Sequence, residues 1–323
     1  MGVTTLRVRV ASRKVEVAGI DSFELVPLSG GTLPPFTAGS HIDVVVSEGL
    51  VRQYSLLNDP SENHRYLIGV LKDEQGRGGS KALHERLVVD CVVEISPPRN
   101  HFSLAPDAST SLLLAGGIGV TPMLCMAERL ATEGSKFEMH YCTRSLDRTA
   151  FRDWIGGGRF ADHVHFHFDD GNEAQKLDIG KLLEAQPADV HLYVCGPMGF
   201  MNAMLGAARA HGLPEKQLHF EYFNAVPNSD VDNSSFEVQL AKSGKVIVVP
   251  ADKSVAQALA ESGVNIKTSC EQGVCGSCLT RVLSGVVDHR DMFLSDAERL
   301  ANDQFLPCCS RSKTQRLVLD LME

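Results

Sequence analysis

Four cysteines near one end of this chain constrain it more than any other feature. Cys270, Cys275 and Cys278 stand in a C-x4-C-x2-C run, and Cys308 follows 30 positions after the last of them. Three thiolates from one tight loop and a fourth from a distant extended segment can converge on two irons, which is the ligand spacing of a [2Fe–2S] cluster. Gly273, Gly276 and Ser277 lie between the ligands, where small residues let backbone N–H groups approach the sulfurs. A structural zinc site draws on paired C-x2-C spacings, and the adjacent Cys308 and Cys309 do not supply one. On an extended segment Cys309 points away from Cys308 and reads as a small buried apolar residue. The other cysteines, Cys91, Cys125, Cys142 and Cys195, are scattered singly, a usage that predicts a reducing, cytoplasmic setting.

A cluster of this kind needs an electron source, and the preceding residues offer one. Residues 1–106 carry short β-branched runs broken by turn chemistry: Leu6–Val10, Ile42–Val46, Tyr66–Leu71 and Cys91–Ile95, the grammar of an antiparallel barrel. Residues 107–226 alternate strands and helices, which predicts an α/β domain with a parallel sheet. A polar linker at 227–235 leads into a last domain over 236–323. There Phe236–Ala241 and Val246–Pro250 read as a hairpin, followed by a helix with Ser254 as N-cap and Gln257 completing a capping box. No run approaches 18 apolar residues, so no membrane span is expected. The formal charge of −9 is spread along the chain, −6 in residues 1–229 and −3 in 230–323, and it argues against a nucleic-acid partner.

Two motifs carry the remaining chemistry. Arg52-Gln53-Tyr54-Ser55 and Gly78-Gly79-Ser80 each follow a strand and offer what a flavin needs: a cation for phosphate, an aromatic flank, a hydroxyl near N5 and glycines where backbone donors meet phosphate or ribityl oxygens. Leu112–Ala115 runs into Gly116-Gly117-Ile118-Gly119-Val120-Thr121-Pro122, a buried strand, a glycine turn and a helix start that can take a dinucleotide pyrophosphate. Pro122 stands where a Rossmann fingerprint has its third glycine, and the next strand ends in Cys142-Thr143-Arg144 with no acidic ribose ligand. Arg144 and Arg148 therefore leave NADPH open beside NADH. Cys195-Gly196-Pro197, again at a strand's C-terminal end, lies where open α/β sheets place ligands.

Taken in order, RQYSL, GRGGS, LLAGGIGVTPM, YVCGPMGFM, HFEYF and the cysteine set resemble the phthalate dioxygenase reductase family over essentially the whole chain. The resemblance implies a multidomain protein: an antiparallel β-barrel flavin domain, an α/β nicotinamide domain of ferredoxin-reductase type and a C-terminal α+β β-grasp domain of plant-type ferredoxin kind. It implies that Arg52, Tyr54, Ser55, Gly78, Gly79, Ser80 and Phe223 hold FMN. Gly116, Gly117, Gly119, Thr121, Pro122, Thr143, Arg144, Cys195, Gly196 and Pro197 would take NADH, with Ser55 and Cys195 at the reacting centre. Cys270, Cys275, Cys278 and Cys308 would ligate the cluster. The implied activity is that of an NADH-dependent reductase component, a monomer that feeds a terminal Rieske oxygenase of the aromatic-ring dioxygenase or demethylase kind.

Other readings stand beside this one. FAD competes with FMN, and the acceptor need not be an oxygenase of aromatic substrates. A flavin-free electron carrier is the alternative from another class; the complete RQYSL and GRGGS motifs speak against it. The alternation of His163, His165 and His167 with Val164, Phe166 and Phe168 could clamp a metal from one face of a strand, but no carboxylate support is evident and it is read as a strand edge with its apolar side turned to the core.

Overall fold

The computed structural model describes residues 5–47, 50–73, 79–223, 234–268, 271, 273–274 and 276–321; Gly78, Cys270 and Cys275 lie outside them. The chain divides into two compact units, Met1–Phe223 and Asn224–Glu323.

The first unit begins with seven strands: β1 (Leu6–Val17), β2 (Ile20–Pro27), β3 (Ser40–Ser47), β4 (Leu50–Ser55), β5 (Tyr66–Leu71), β6 (Val92–Ile95) and β7 (Arg99–Asn100). They form an antiparallel sheet in the order β4-β3-β6-β1-β2-β5, with β7 on β3. A Leu56↔Ile68 bridge joins the two ends and closes the barrel, which leaves no long free edge. Helix α1 (Gly79–Arg86) follows β5. Sequence pattern missed β2, β4, the two-residue β7 and α1. Strand β2 buries Asp21, held by Arg13, and β4 is half-buried along five of its six positions, so neither carries a clean apolar alternation. The start of α1 is the glycine-serine stretch that reads as a loop.

The same unit continues with β8 (Thr110–Gly116), α2 (Val120–Glu133), β9 (Lys136–Thr143), α3 (Arg152–Gly157), β10 (Val164–Phe168), α4 (Ile179–Glu184), β11 (Val190–Cys195), α5 (Met198–His211) and β12 (Leu218–Glu221). All five strands are parallel, in the order β10-β9-β8-β11-β12. Alternation assigns the faces. Leu113, Ala115, Met139, Tyr141, Tyr193 and Cys195 join a core shared with the barrel and α2, whereas Leu112, Leu114, Leu192 and Val194 pack with Met201, Met204 and Leu205 of α5. His163 is not on the strand: it ends a 3-10 turn, Ala161–His163, and stacks on Phe137.

The second unit is a mixed sheet. Strands β13 (Phe236–Leu240), β14 (Val246–Val249), β15 (Thr280–Ser284), β17 (Gln304–Phe305) and β19 (Arg316–Asp320) pair in the order β14-β13-β19-β15-β17, while β16 (Val287–Asp288) pairs with β18 (Arg311–Ser312). Helix α6 (Val255–Glu261), which carries the expected Ser254–Gln257 capping box, contributes Val255, Ala258 and Leu259 to the core. A short helix α7 (Asp296–Ala301) precedes β17. One expectation fails here: Cys308 and Cys309 lie in a turn, with the Cys309 amide bonded to the Leu306 carbonyl, and not on an extended segment. Pro307, which cannot donate to a ladder, favours that turn over a strand position. No helix among the described residues is long and apolar enough to cross a membrane.

Candidate functional site

The glycine turn after β8 meets the end of β11 backbone to backbone. A Cβ on Gly119 would lie 2.3 Å from the Cys195 carbonyl oxygen, and one on Gly196 would lie 2.9 Å from the Gly116 Cα. Gly117, at φ +52°, takes the left-handed conformation that glycine tolerates. No side chain caps the first turn of α2, so the strand-turn-helix start keeps donors for an anion. Pro197 and the ring of Phe200 pack on Gly116. Phe200 is a residue the sequence reading passed over, although it stands inside the YVCGPMGFM motif.

Thr121 and Pro122 are buried in this turn; the Thr121 hydroxyl donates to the Ile118 carbonyl at 3.0 Å and supports the turn from within. Thr143 is similarly occupied. Its hydroxyl meets that of Thr149 at 2.7 Å and the Ser145 carbonyl at 3.2 Å, bracing the loop that presents the exposed Arg144.

On the barrel side, Arg52 crosses Gly79: a Cβ there would stand 2.4 Å from the guanidinium Nε. The charge thus sits against the first residue of α1, beside Ser80, whose hydroxyl accepts the Asp73 amide at 3.0 Å. A cation, a helix start and a bare glycine in one place are a donor set that fits a flavin phosphate. Tyr54 and Phe223 both pack, half-buried, on the shared core, and burial pushes the Tyr54 phenol up, so it stays protonated.

Ser55 and Cys195 are brought together by a residue that sequence reasoning did not single out. The Ser55 hydroxyl donates to Glu221 Oε2 at 3.4 Å, across 166 positions of sequence, and Glu221 is the register partner of Cys195 on β11. His41 Nδ1 stands 3.9 Å from the other carboxyl oxygen. Burial first, then the Glu221 charge, pushes the Cys195 thiol well up, so it is a neutral, packed S–H and not a nucleophile. Burial likewise raises the Glu221 carboxyl to about 7, against the pull of the Ser55 hydrogen bond. It also lowers His41 to about 4, helped by the charges of Arg99 and His101. The HFEYF motif was the available signal for Glu221; nothing local marks its partner.

This carboxyl carries a pH dependence of fixed sign. The folded protein holds the Glu221 proton between the ordinary 4.5 and about 7, so the folded state binds more protons there and stability falls as pH rises through that window. Glu221→Gln, which mimics the protonated form, is expected to match the parent near pH 4.5 and to be more stable at pH 8, by an upper limit of about 3 kcal/mol. Denaturant unfolding of the flavin-loaded chain at the two pH values, followed by flavin fluorescence, measures it. Equal stability at pH 8 would show that the carboxyl ionises without penalty.

In the second unit, Cys278 and Cys308 are buried in one small cluster with Ala256, Leu294 and Leu306, and the Cys308 thiol interacts with both Cys278 and Cys309. Gly276, at φ +68°, lies under the Phe293 ring, where a Cβ would come within 2.3 Å of it. The fully buried Asp291 braces the same loop: its carboxylate accepts the Leu294 amide at 2.8 Å, and the next amide, Met292, donates to the Gly273 carbonyl at 2.9 Å. Two buried thiols and a glycine loop held from below suit a cluster ligated by thiolate. Cys270 and Cys275 lie outside the described residues.

Comparison with known proteins follows the same lines. The family model described as a 2Fe-2S iron-sulfur cluster binding domain matches residues 238–313. The chain is 52% identical to the vanillate O-demethylase oxidoreductase of Pseudomonas sp. (strain HR199 / DSM 7063), over 98% of this chain and 100% of that protein. It is 45% identical to the tert-butanol monooxygenase / tert-amyl alcohol desaturase reductase subunit of Aquincola tertiaricarbonis, over 98% and 96%. It is 40% identical to the phthalate dioxygenase reductase of Burkholderia cepacia, over 98% and 97%. A solved phthalate dioxygenase reductase, described as a modular structure for electron transfer from pyridine nucleotides to [2Fe-2S], superposes with a TM-score of 0.80 at 40% identity, covering 98% of each chain.

Proposed function

This chain belongs to the phthalate dioxygenase reductase family, and from that premise we propose that it carries electrons from NADH through FMN and a [2Fe–2S] cluster to a terminal oxygenase. The single observation that carries the reading is the meeting of Ser55, from the barrel, with Glu221, the register neighbour of Cys195 at the end of the parallel sheet. It supports a shared centre, because Ser55, expected beside flavin, and Cys195, expected beside nicotinamide, both neighbour Glu221 within one unit.

When bound, a flavin supplies the conversion between a two-electron hydride donor and a one-electron iron–sulfur acceptor. The chain's residues supply placement and protection. Arg52, with Gly79 and Ser80, neutralises a phosphate; Gly78, outside the described residues, belongs to the same set. Tyr54 and Phe223 flank the ring system with apolar surface. Gly116, Gly117, Gly119, Gly196 and Pro197 admit a dinucleotide at the start of α2, with Thr121, Pro122 and Thr143 bracing the turns and Arg144 offered to the ribose end. Ser55 holds an O–H beside Glu221, and Cys195, packed and neutral, adds no thiolate there. Cys270, Cys275, Cys278 and Cys308 complete the path as cluster ligands. The division into barrel (1–106), nicotinamide domain (107–226), linker (227–235) and cluster domain (236–323), a monomeric state and a cytoplasmic location belong to the same proposal.

The relative at 52% identity favours an oxygenase partner that demethylates an aromatic ether. The relative named for tert-butanol monooxygenase, at 45%, supports a second reading in which the partner's substrate is a small alcohol. Anaerobic titration of the purified protein with NADH, and in parallel with NADPH, tests the core of the proposal. NADH is expected to bleach flavin and iron–sulfur absorption together; bleaching of neither would overturn it.

A further inference from the structure

On its other face the parallel sheet carries a cluster of histidines that the nicotinamide and flavin residues do not touch. Parallel pairing puts His140 of β9 opposite His165 of β10, and Glu138 lies two positions before His140, on the same face of the sheet. One ligand atom from each of Glu138, His140 and His165 lies within 4.8 Å of the other two. This face is the one that carries Leu112 and Leu114 on β8. The site is therefore on the opposite side of the sheet from Cys195.

The hydrogen bonds around His140 determine which nitrogen is bare. His167 Nδ1 stands 3.1 Å from the Gln175 carbonyl, which only accepts, so His167 carries its proton there and its Nε2 is a lone pair. That Nε2 stands 2.9 Å from His140 Nδ1, which must then be the donor. His140 Nε2 is left with a lone pair. It is buried, has no hydrogen-bond partner among the described residues, and faces Glu138 Oε2 at 3.5 Å. A buried imidazole lone pair facing a half-exposed carboxylate calls for a cation between them.

We propose that Glu138, His140 and His165 bind one divalent cation of the zinc class. Tetrahedral zinc with bonds of about 2.0–2.1 Å sets neighbouring ligand atoms roughly 3.3 Å apart, and the His140–Glu138 separation of 3.5 Å is already close to that. His165 stacks on His140 with ring centroids 4.9 Å apart and is exposed, so a rotation of its ring brings in the third ligand. The relay from His140 through His167 to the Gln175 carbonyl fixes the ligand's tautomer from behind, the usual arrangement for a metal-binding imidazole. Gln186 Nε2 donates to Glu138 Oε2 at 3.4 Å and orients the carboxylate. Glu138 is half exposed, which gives the ion a way in from solvent. A bound ion would clamp the edge strand β10 to β9.

The test uses the full chain without a histidine tag and with flavin and cluster loaded, so that the cysteine ligands are already occupied. Equilibrium dialysis against zinc chloride with metal analysis is expected to return one zinc per chain in addition to cluster iron. His165→Ala and Glu138→Gln, both at accessible positions, are expected to weaken binding by roughly tenfold or more each. His163→Ala is expected to leave it unchanged. Zinc is also expected to slow amide exchange in Lys136–Thr143 and Val164–Phe168 but not in the C-terminal unit. No retained zinc, or zinc retained equally by His165→Ala and Glu138→Gln, overturns the proposal.

Discussion

Cys308→Ser is expected to give a chain that NADH still reduces at the flavin but that passes almost nothing onward, with reduction of a one-electron acceptor protein falling by more than about 100-fold and the iron–sulfur absorption absent. The reason is the division of the chain. Every residue assigned to flavin and nicotinamide lies in Met1–Phe223, whereas Cys308 is buried with Cys278 in the other unit. A serine oxygen is a harder and less readily ionised donor than a thiolate, and the pocket was shaped for sulfur. Because Cys308 and Cys309 share a turn and their thiols interact, Cys309→Ser is the necessary companion. It is expected to keep the cluster. Iron analysis and visible spectra of both variants decide the ligand, and the reverse pattern would assign the fourth ligand to Cys309.

Gly119→Ala is expected to lower kcat/KM for NADH by about 100-fold or more while leaving the cluster loaded. The backbone at Gly119 is ordinary, with φ −61° and ψ −4°, so alanine carries no conformational penalty there. The penalty is contact. The new methyl would stand 2.3 Å from the Cys195 carbonyl oxygen, 2.4 Å from its carbon and 2.6 Å from the Gly196 nitrogen. Those are backbone atoms of a central strand and cannot swing aside, so the turn must separate from the end of β11. A displacement of about 1 Å at the proposed nicotinamide site is enough for a loss of that size. Gly206→Ala is the control: no heavy atom lies within 4 Å of its Cβ position in α5. It is expected to retain full activity and to be neutral or more stable by about 0.5–1 kcal/mol. Steady-state kinetics with a flavin-level acceptor separate the two variants. Parent-like kinetics in Gly119→Ala would mean that the close approach of the two turns does not matter for nicotinamide.

The parts of this molecule that were legible from sequence are those whose physics is local. Strand β5 announces itself as a short apolar run and the Phe236–Val249 hairpin by alternation. The Ser254 capping box and the glycine turn at Gly116–Gly119 follow from backbone requirements within a few residues. The cysteine spacing is local too, because a loop that wraps a cluster must place its ligands at short fixed intervals. Where a polar side chain is buried through a distant partner, the pattern misleads: Asp21 in β2, satisfied by Arg13, hid a strand. Gly79 and Ser80 read as a loop because their helix begins on residues chosen for the approach of Arg52.

The chain's residues alone therefore determined its three kinds of chemistry, its family and the order of its motifs. Only the tertiary structure decided what those residues face. Glu221 is an ordinary acid in sequence. Packing the barrel against the sheet buries it beside Ser55 and His41 and holds its proton near neutrality. His140 and His165 are 25 positions apart on separate strands, and the parallel register of β9 and β10 sets them side by side near Glu138. Spacing along a chain specifies groups that meet within one turn, but the desolvation and pairing of groups from different strands arise only when the strands are assembled.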